Sequence, residues 1–258
     1  MMTFAPMPRT RSLLVIAHPG HELRLLGWLR KTRPLVAILT DGSGSTGQSR
    51  LDLSMQLVEE NGGEVIVAGR FAEPYLYTLL MHGDSAPLVE FARELARLLD
   101  AHQVAEITCD AVEGYHPGHD LCLPLIRAAA RLRRAGTEMP RHLEYRVVGD
   151  PRPSGTSAEI VLDLDADALR DKIERSHRYA AQSGAVLAQE VQHMFDTYGE
   201  DAFRFEVLRP AGTEDPQLHA GLRYYEMRGE QQVQAGRYRE VLRYARHVLP
   251  VEAALREC

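Results

Sequence analysis

Residues 12–17, SLLVIA, run without interruption into His18-Pro19-Gly20-His21. An apolar run with no polar alternation is what a strand covered on both faces requires. Pro19 and Gly20 break the run, and a helical pattern follows over 22–30. The cycle then repeats. LVAILT at 35–40 predicts a second strand, closed by the glycine-rich loop 41–47, and a helix over 49–61 stops at Gly62-Gly63. Residues 64–68 predict a third strand, 87–101 a helix, 105–109 a fourth strand, and 119–134 another helix. Strands alternating with helices of this length define a mostly parallel sheet wound on both sides, an α/β Rossmann-like three-layer fold.

Beyond Gly136 the rhythm changes. Residues 142–148 and 159–164 predict two strands around a loop rich in Pro, Ser and Gly. One long helix is expected over 166–190 and a short strand over 203–208. From residue 219 onward the pattern is helical and amphipathic, with Tyr224, Tyr225, Tyr238 and Tyr244 as its aromatic positions. The composition shifts near 210–216, which divides the chain into a core domain, 1–209, and a helical C-terminal extension, 210–258. Aromatic residues at helical spacing serve a core or an interface, so self-association through the C-terminal helices is the expected protein contact.

The 258 residues carry 45% hydrophobic and 26% charged side chains, which excludes a disordered, collagenous or coiled-coil chain. No run approaches a transmembrane length and the N-terminus shows no apolar signal core, so a cytoplasmic protein is expected. A formal net charge of -6 gives no electrostatic basis for binding nucleic acid or an anionic membrane. Cys109, Cys122 and Cys258 are odd in number and lack CxxC spacing, which argues against a disulfide framework or a cysteine-rich zinc site.

The histidines carry the chemistry. His18-Pro-Gly-His21 follows the first strand and His116-Pro-Gly-His119 follows the fourth. If the strands are ordered 3-2-1-4, both tetrapeptides face the crevice where the order reverses, the place where open α/β sheets bind ligands. Four imidazoles converging there form a ligand inventory for zinc, iron, nickel or copper. Asp110 and Glu113, just upstream of the second tetrapeptide, are placed to orient an imidazole or to sit in solvent. Loop 41–47 is glycine-rich like a phosphate cradle but lacks the Gly-Lys-Ser/Thr ending of a P-loop.

These residues carry a resemblance. The chain resembles the PIG-L/LmbE family of zinc-dependent N-acetylglucosaminyl deacetylases over most of residues 12–208. Ala17-His18-Pro19, with Glu22 three places on, is similar to that family's Ala-His-Pro-Asp-Asp-Glu; Thr40-Asp41-Gly42 and Arg50 match its next motif. His116-Pro117-Gly118-His119 resembles its His-Pro-Asp-His. Lys172 through Gln182, and Phe205-Glu206, resemble its later helix and strand. The resemblance implies a Zn²⁺ enzyme that hydrolyses the amide of an N-acetylated amino sugar or glycan-linked metabolite. It implies metal ligation by His18, His21 and His119, with His116 assisting the leaving nitrogen or stabilising the oxyanion.

Two positions depart from the family. His21 stands where the family has a metal-binding aspartate, and Gly20 where it has the aspartate that acts as general base. Asp41 is the expected substitute base, with Asp110, Glu113 and Asp120 behind it. Arg50, and Tyr75 and His82 in the connection after the third strand, are expected substrate contacts. Three neutral histidines on zinc hold water near a pKa of about 7, so loss of the base need not abolish hydrolysis. Two alternatives stand beside the hydrolase: a metal- or sugar-binding relative without activity, and an Fe²⁺ enzyme of altered chemistry on the same scaffold.

Overall fold

A computed structural model describes residues 11–44, 47–155, 159–212 and 221–258. Seven strands form one sheet in the order β3-β2-β1-β4-β5-β7-β6. They are β1 (Arg11–Ile16), β2 (Leu35–Thr40), β3 (Glu64–Phe71), β4 (Val104–Asp110), β5 (Arg141–Tyr145), β6 (Ile160–Asp163) and β7 (Phe205–Pro210). The first five run parallel, and β7 lies antiparallel between β5 and the edge strand β6. The order 3-2-1-4 is therefore present, with the reversal between β1 and β4.

The apolar runs of the central strands are sorted residue by residue onto two faces. Leu13, Val15 and Ala17 of the first strand, with Leu35, Ala37 and Leu39 of the second, join one cluster. Leu14, Ile16, Val36 and Ile38 join the other. Helices α3 (Glu73–His82), α4 (Ala86–Ala101), α5 (Pro117–Arg131) and α9 (Leu249–Glu257) cover the first face. A 3₁₀ turn over His21–Leu25, α1 (Leu26–Thr32) and α2 (Leu51–Glu60) cover the second. Each apolar residue in these strands thus has a partner layer, which is why no polar alternation is needed.

Several elements differ from their sequence reading. The stretch after β3, read only as a connection, is helix α3, with a proline in its first turn and Gly83 at φ 64° ending it. The long helix expected over 166–190 is two, α6 (Ala166–Ser183) and α7 (Ala185–Tyr198). Gly184, at φ 99° and ψ 170°, turns the chain between them. The C-terminal part holds α8 (Tyr224–Gln234), a π turn at Tyr244–Val248 and α9. Val248, Val251 and Leu255 belong to the first core cluster, and Arg131 donates to the Leu255 carbonyl at 2.7 Å. Residues 45 and 46 of the glycine-rich loop and residues 213–220, which overlap the composition boundary at 210–216, lie outside the described residues. Among the described residues, no helix is long and apolar enough to cross a membrane.

Candidate metal centre and its cavity

The carboxyl ends of β1 and β4 are bound to each other through one fully buried carboxylate. Asp110 Oδ2 accepts the Ala17 amide at 2.8 Å and lies 2.7 Å from His21 Nδ1, while Oδ1 accepts the Tyr145 hydroxyl at 2.8 Å. Next along the sheet, His18 Nδ1 lies 2.7 Å from Thr40 Oγ1, which itself donates to the Ala17 carbonyl at 2.9 Å. His116 caps α5, accepting the Gly118 amide through Nδ1 at 3.0 Å, and its Nε2 meets the Tyr77 hydroxyl at 2.8 Å. His18 and His21 therefore each have one nitrogen fixed by a dedicated partner, and His116 has both.

The rings converge. Centroids are 4.4 Å apart for His18 and His116, 4.5 Å for His21 and His119, and 5.3 Å for His18 and His21. His18 Nε2 lies 2.9 Å from His116 Nδ1. One nitrogen each from His18, His116 and His119 fall within 4.8 Å of one another. His119 Nδ1 is buried with no hydrogen-bond partner among the described residues. Burial, and then the neighbouring imidazoles, push the pKa values of His18 and His119 well below 6.5. Both rings are neutral at pH 7, the form that offers a lone pair to a cation.

With the Thr40 proton on the Ala17 carbonyl, His18 donates through Nδ1 and keeps a lone pair on Nε2. That lone pair faces His116 Nδ1, itself an acceptor for Gly118. Two acceptor nitrogens at 2.9 Å and an orphaned third on His119 are the pattern of a donor set suited to a divalent cation.

The departures at Gly20 and Gly118 have local reasons. Gly20 adopts φ 107°, and a Cβ there would sit 3.0 Å from the ring of Tyr179. A Cβ on Gly118 would sit 3.1 Å from His116 Nδ1 and 3.3 Å from His18 Nε2, inside the imidazole pair. Glu22 is buried beneath the turn, where it accepts the Gly20 amide at 2.9 Å and pairs with Ser54.

Asp41, expected as the base, is engaged by three donors of its own loop and of α3. Its Oδ1 accepts the Ser43 amide at 3.0 Å, the Ser43 hydroxyl at 2.8 Å and the Glu73 amide at 3.0 Å. Burial opposes ionisation, but these donors outweigh it and hold the carboxyl below its ordinary value. Asp41 is absent from the cavity wall and joins its loop to the start of α3. Among the described residues, Glu73, Glu113 and Glu190 reach the cavity wall; of these, Glu73 lies 3.6 Å from His18 Nδ1 and 3.6 Å from His116 Nε2. Burial alone would raise its pKa; His116, Arg50 and the Gly44 amide bring it below the usual value. Of the two other reserve carboxylates, Glu113 accepts three backbone amides, at 147, 148 and 149. Asp120 is paired with Arg223 at 2.6 Å.

The cluster opens into a cavity of about 680 Å³. Arg50 lines it, with a guanidinium that makes no hydrogen bond or ion pair among the described residues and a buried Nε without a partner. Tyr75 and His82, expected as contacts, lie on the exposed face of α3 and do not line the cavity. The helical period explains it: Leu76, Leu79 and Leu80 face the core, and Tyr77 is the aromatic of α3 turned to His116. The sequence reading also passed over Glu73 and the far wall. That wall comes largely from α7 and its surroundings, where Val186, Leu187, Val191, Met194, Phe195 and Phe203 are interspersed with Glu190, His193 and Thr197.

Sheet order and site together define an α/β protein with an imidazole cluster at the topological switch point. No family model matches the chain, and no curated protein matches it in sequence. Solved structures do match in fold. The deacetylase of the antimicrobial A40926 pseudoaglycone aligns at a TM-score of 0.53 and 15% identity, covering 78% of this chain and 97% of that one. A deacetylase of the teicoplanin biosynthesis pathway, solved as a complex, aligns at 0.52 and 15%, covering 80% and 100%. A triple mutant of a teicoplanin-pathway deacetylase aligns at 0.50 and 14%, with the same coverage. The chain shares the fold of these deacetylases.

Proposed function

We propose that the protein is a metal-dependent hydrolase of a C–N amide bond, acting on an N-acylated amino sugar or a glycan-linked metabolite. One observation carries the reading. Four imidazoles meet at the ends of β1 and β4, two neutral and one with a buried, unpartnered nitrogen. That donor set fits a divalent cation, Zn²⁺ first and Fe²⁺ second. The deacetylase fold of the structural neighbours points the same way, and the PIG-L/LmbE-like motifs at His18, Arg50 and His119 agree with it.

His18, His21 and His119 would hold the ion, with Asp110 fixing the orientation of His21. When bound, the ion supplies Lewis-acid polarisation of the amide carbonyl and renders water acidic near neutral pH. The remaining chemistry belongs to the chain. Glu73 accepts a proton as the water oxygen bonds to the carbonyl carbon. His116 Nε2, 3.6 Å from Glu73 Oε1, passes its proton to the nitrogen as the C–N bond breaks and takes in exchange the proton that Glu73 accepted, so both groups return to their starting forms. The products are a carboxylic acid and an amine. Arg50, which lines the cavity and acts electrostatically on Glu73 and Glu190, offers its guanidinium to a hydroxyl or an anionic group on the substrate.

A second donor set is favoured by one distance. His18 Nε2 and His116 Nδ1 are 2.9 Å apart, and His116, not His21, completes the tight trio with His119. Zinc titrations of His21→Ala and His116→Ala separate the two sets, because removing the true ligand weakens binding far more.

The test is metal content followed by amine release. About one ion per chain, and release of amine from N-acetylated sugars, are the expected results. Glu73→Gln should retain the ion and lose about 10²–10⁴-fold in turnover, the range that base assistance contributes. Unchanged turnover removes Glu73 from the mechanism. Absence of metal after reconstitution overturns the hydrolase.

A further inference from the structure

The cavity rim holds an aromatic pair that no motif accounts for. Tyr115, in the loop between β4 and α5, and Tyr224, at the start of α8, stack with centroids 4.5 Å apart and planes 5° from parallel. Both line the cavity. The ring of Tyr115 in turn lies 6.1 Å from His119, tilted by 31°. Three rings thus stand in file from the imidazole cluster outward, and the last of them, Tyr224, is 41% exposed.

The pair is held in place by independent contacts. The Tyr224 amide donates to the Gly114 carbonyl at 2.8 Å. Its neighbour Arg223 is buried, pairs with Asp120 at 2.6 Å, and lies 3.7 Å above the ring of Tyr244. Glu226 accepts the Arg223 amide at 3.1 Å, closing the cap of α8. Asp120 also accepts the amides of Glu113 and Gly114, so one carboxylate fixes both loops that carry the tyrosines. Apart from the Tyr224 backbone amide these contacts use other residues, so they do not depend on the Tyr224 ring, which stacks on Tyr115 at the rim.

We propose that Tyr115 and Tyr224 form a ring-binding subsite, which takes the group attached to the amide-bearing unit of the substrate through that group's apolar face. The ligand chemistry is a flat aromatic ring or the C–H face of a second hexose. Tyr224 belongs to the C-terminal segment, so that segment sets specificity at a site whose reacting groups lie elsewhere in the chain. The identity of the amide-bearing unit rests on the hydrolase reading; the subsite itself does not need turnover.

Saturation-transfer NMR and calorimetry on the intact protein test this with three probes. They are methyl N-acetyl-β-D-glucosaminide, its p-nitrophenyl counterpart, and N,N′-diacetylchitobiose. The wild type should bind at least one of the ring-extended probes roughly tenfold tighter than the methyl glycoside, the scale of one stacking contact. Whichever probe gains identifies the occupant as aromatic or hexose. Tyr224→Ala should remove the difference and Tyr224→Phe should retain it, both with an unchanged circular dichroism spectrum. No binding of any probe, no preference in the wild type, or a preference that survives in Tyr224→Ala overturns the subsite. A preference seen in a protein that takes up no metal would keep the subsite and discard the hydrolase.

Discussion

The tetrapeptide His-Pro-Gly-His occurs twice, and the two copies fold differently. In the first, Gly20 sits at φ 107° and leads into a 3₁₀ turn, with the ring of Tyr179 against its α-carbon. In the second, Pro117 and Gly118 are the opening residues of α5, and His116 is the cap. The first glycine answers to backbone conformation, since few L-residues tolerate that φ. The second answers to space, since a side chain there would enter the gap between His18 and His116. Equal sequence at two strand ends therefore conceals unequal constraints, and both converge on one imidazole cluster.

The largest effect should come from a histidine that both donor sets share. His119→Ala should weaken zinc binding by more than about 100-fold, the upper range seen for loss of a supporting residue. A chelator-competition titration measures it, and near-native affinity would dissolve the idea that the two copies serve one centre. The glycines should separate next. Gly20→Ala should lower stability by about 1–3 kcal/mol through backbone strain, read by thermal melting. Gly118→Ala should leave melting near the wild-type value and weaken zinc binding by about tenfold. Equal effects of the two substitutions on both readouts would end the distinction.

The smallest effect concerns Asp41, which lies beside the cluster without entering the cavity. Its carboxyl is held below the ordinary value, so the folded state favours the ionised form. That contribution is present above the unfolded pKa and fades as pH falls through the lower, folded one. Asp41→Ala should therefore cost about 1 kcal/mol near pH 7, and the gap should narrow once pH drops below about 4. Metal affinity should not change. Urea unfolding at pH 7 and pH 3 reads the gap, and a gap that widens in acid would contradict the assignment.

The sequence made the central sheet legible because burial on both faces leaves an unmistakable mark. Leu13 to Ala17 and Leu35 to Leu39 have nowhere to place a polar side chain, and Pro and Gly mark where each strand stops. The same logic placed both His-Pro-Gly-His segments at the switch point. Other features left weaker marks. Helix α3 is short, and choosing Tyr77 over Tyr75 required the phase of its buried leucines. The break at Gly184 is a single glycine inside an otherwise helical pattern, and sequence alone does not tell a tolerated glycine from a turn. The role of Glu73 and the pairing of Tyr115 with Tyr224 depend on contacts between distant parts of the chain, for which local pattern carries no signal.

Glu206 lies far from the histidines, yet it governs the shape of the space before them. Its carboxylate accepts the amides of Gly27 and Trp28 at the start of α1 and the ammonium of Lys172 from α6. Lys172 also donates to the Arg24 carbonyl, so one buried charge pair fastens the α6 end of the helical wall to the sheet. Losing either partner would strand the other charge in the interior, at several kcal/mol. Anchorage and lining are thus carried by different residues. The cavity-lining face of α7 can therefore be altered without touching the charge pair that holds the frame, so the shape of the space and the stability of its wall are set by separate residues.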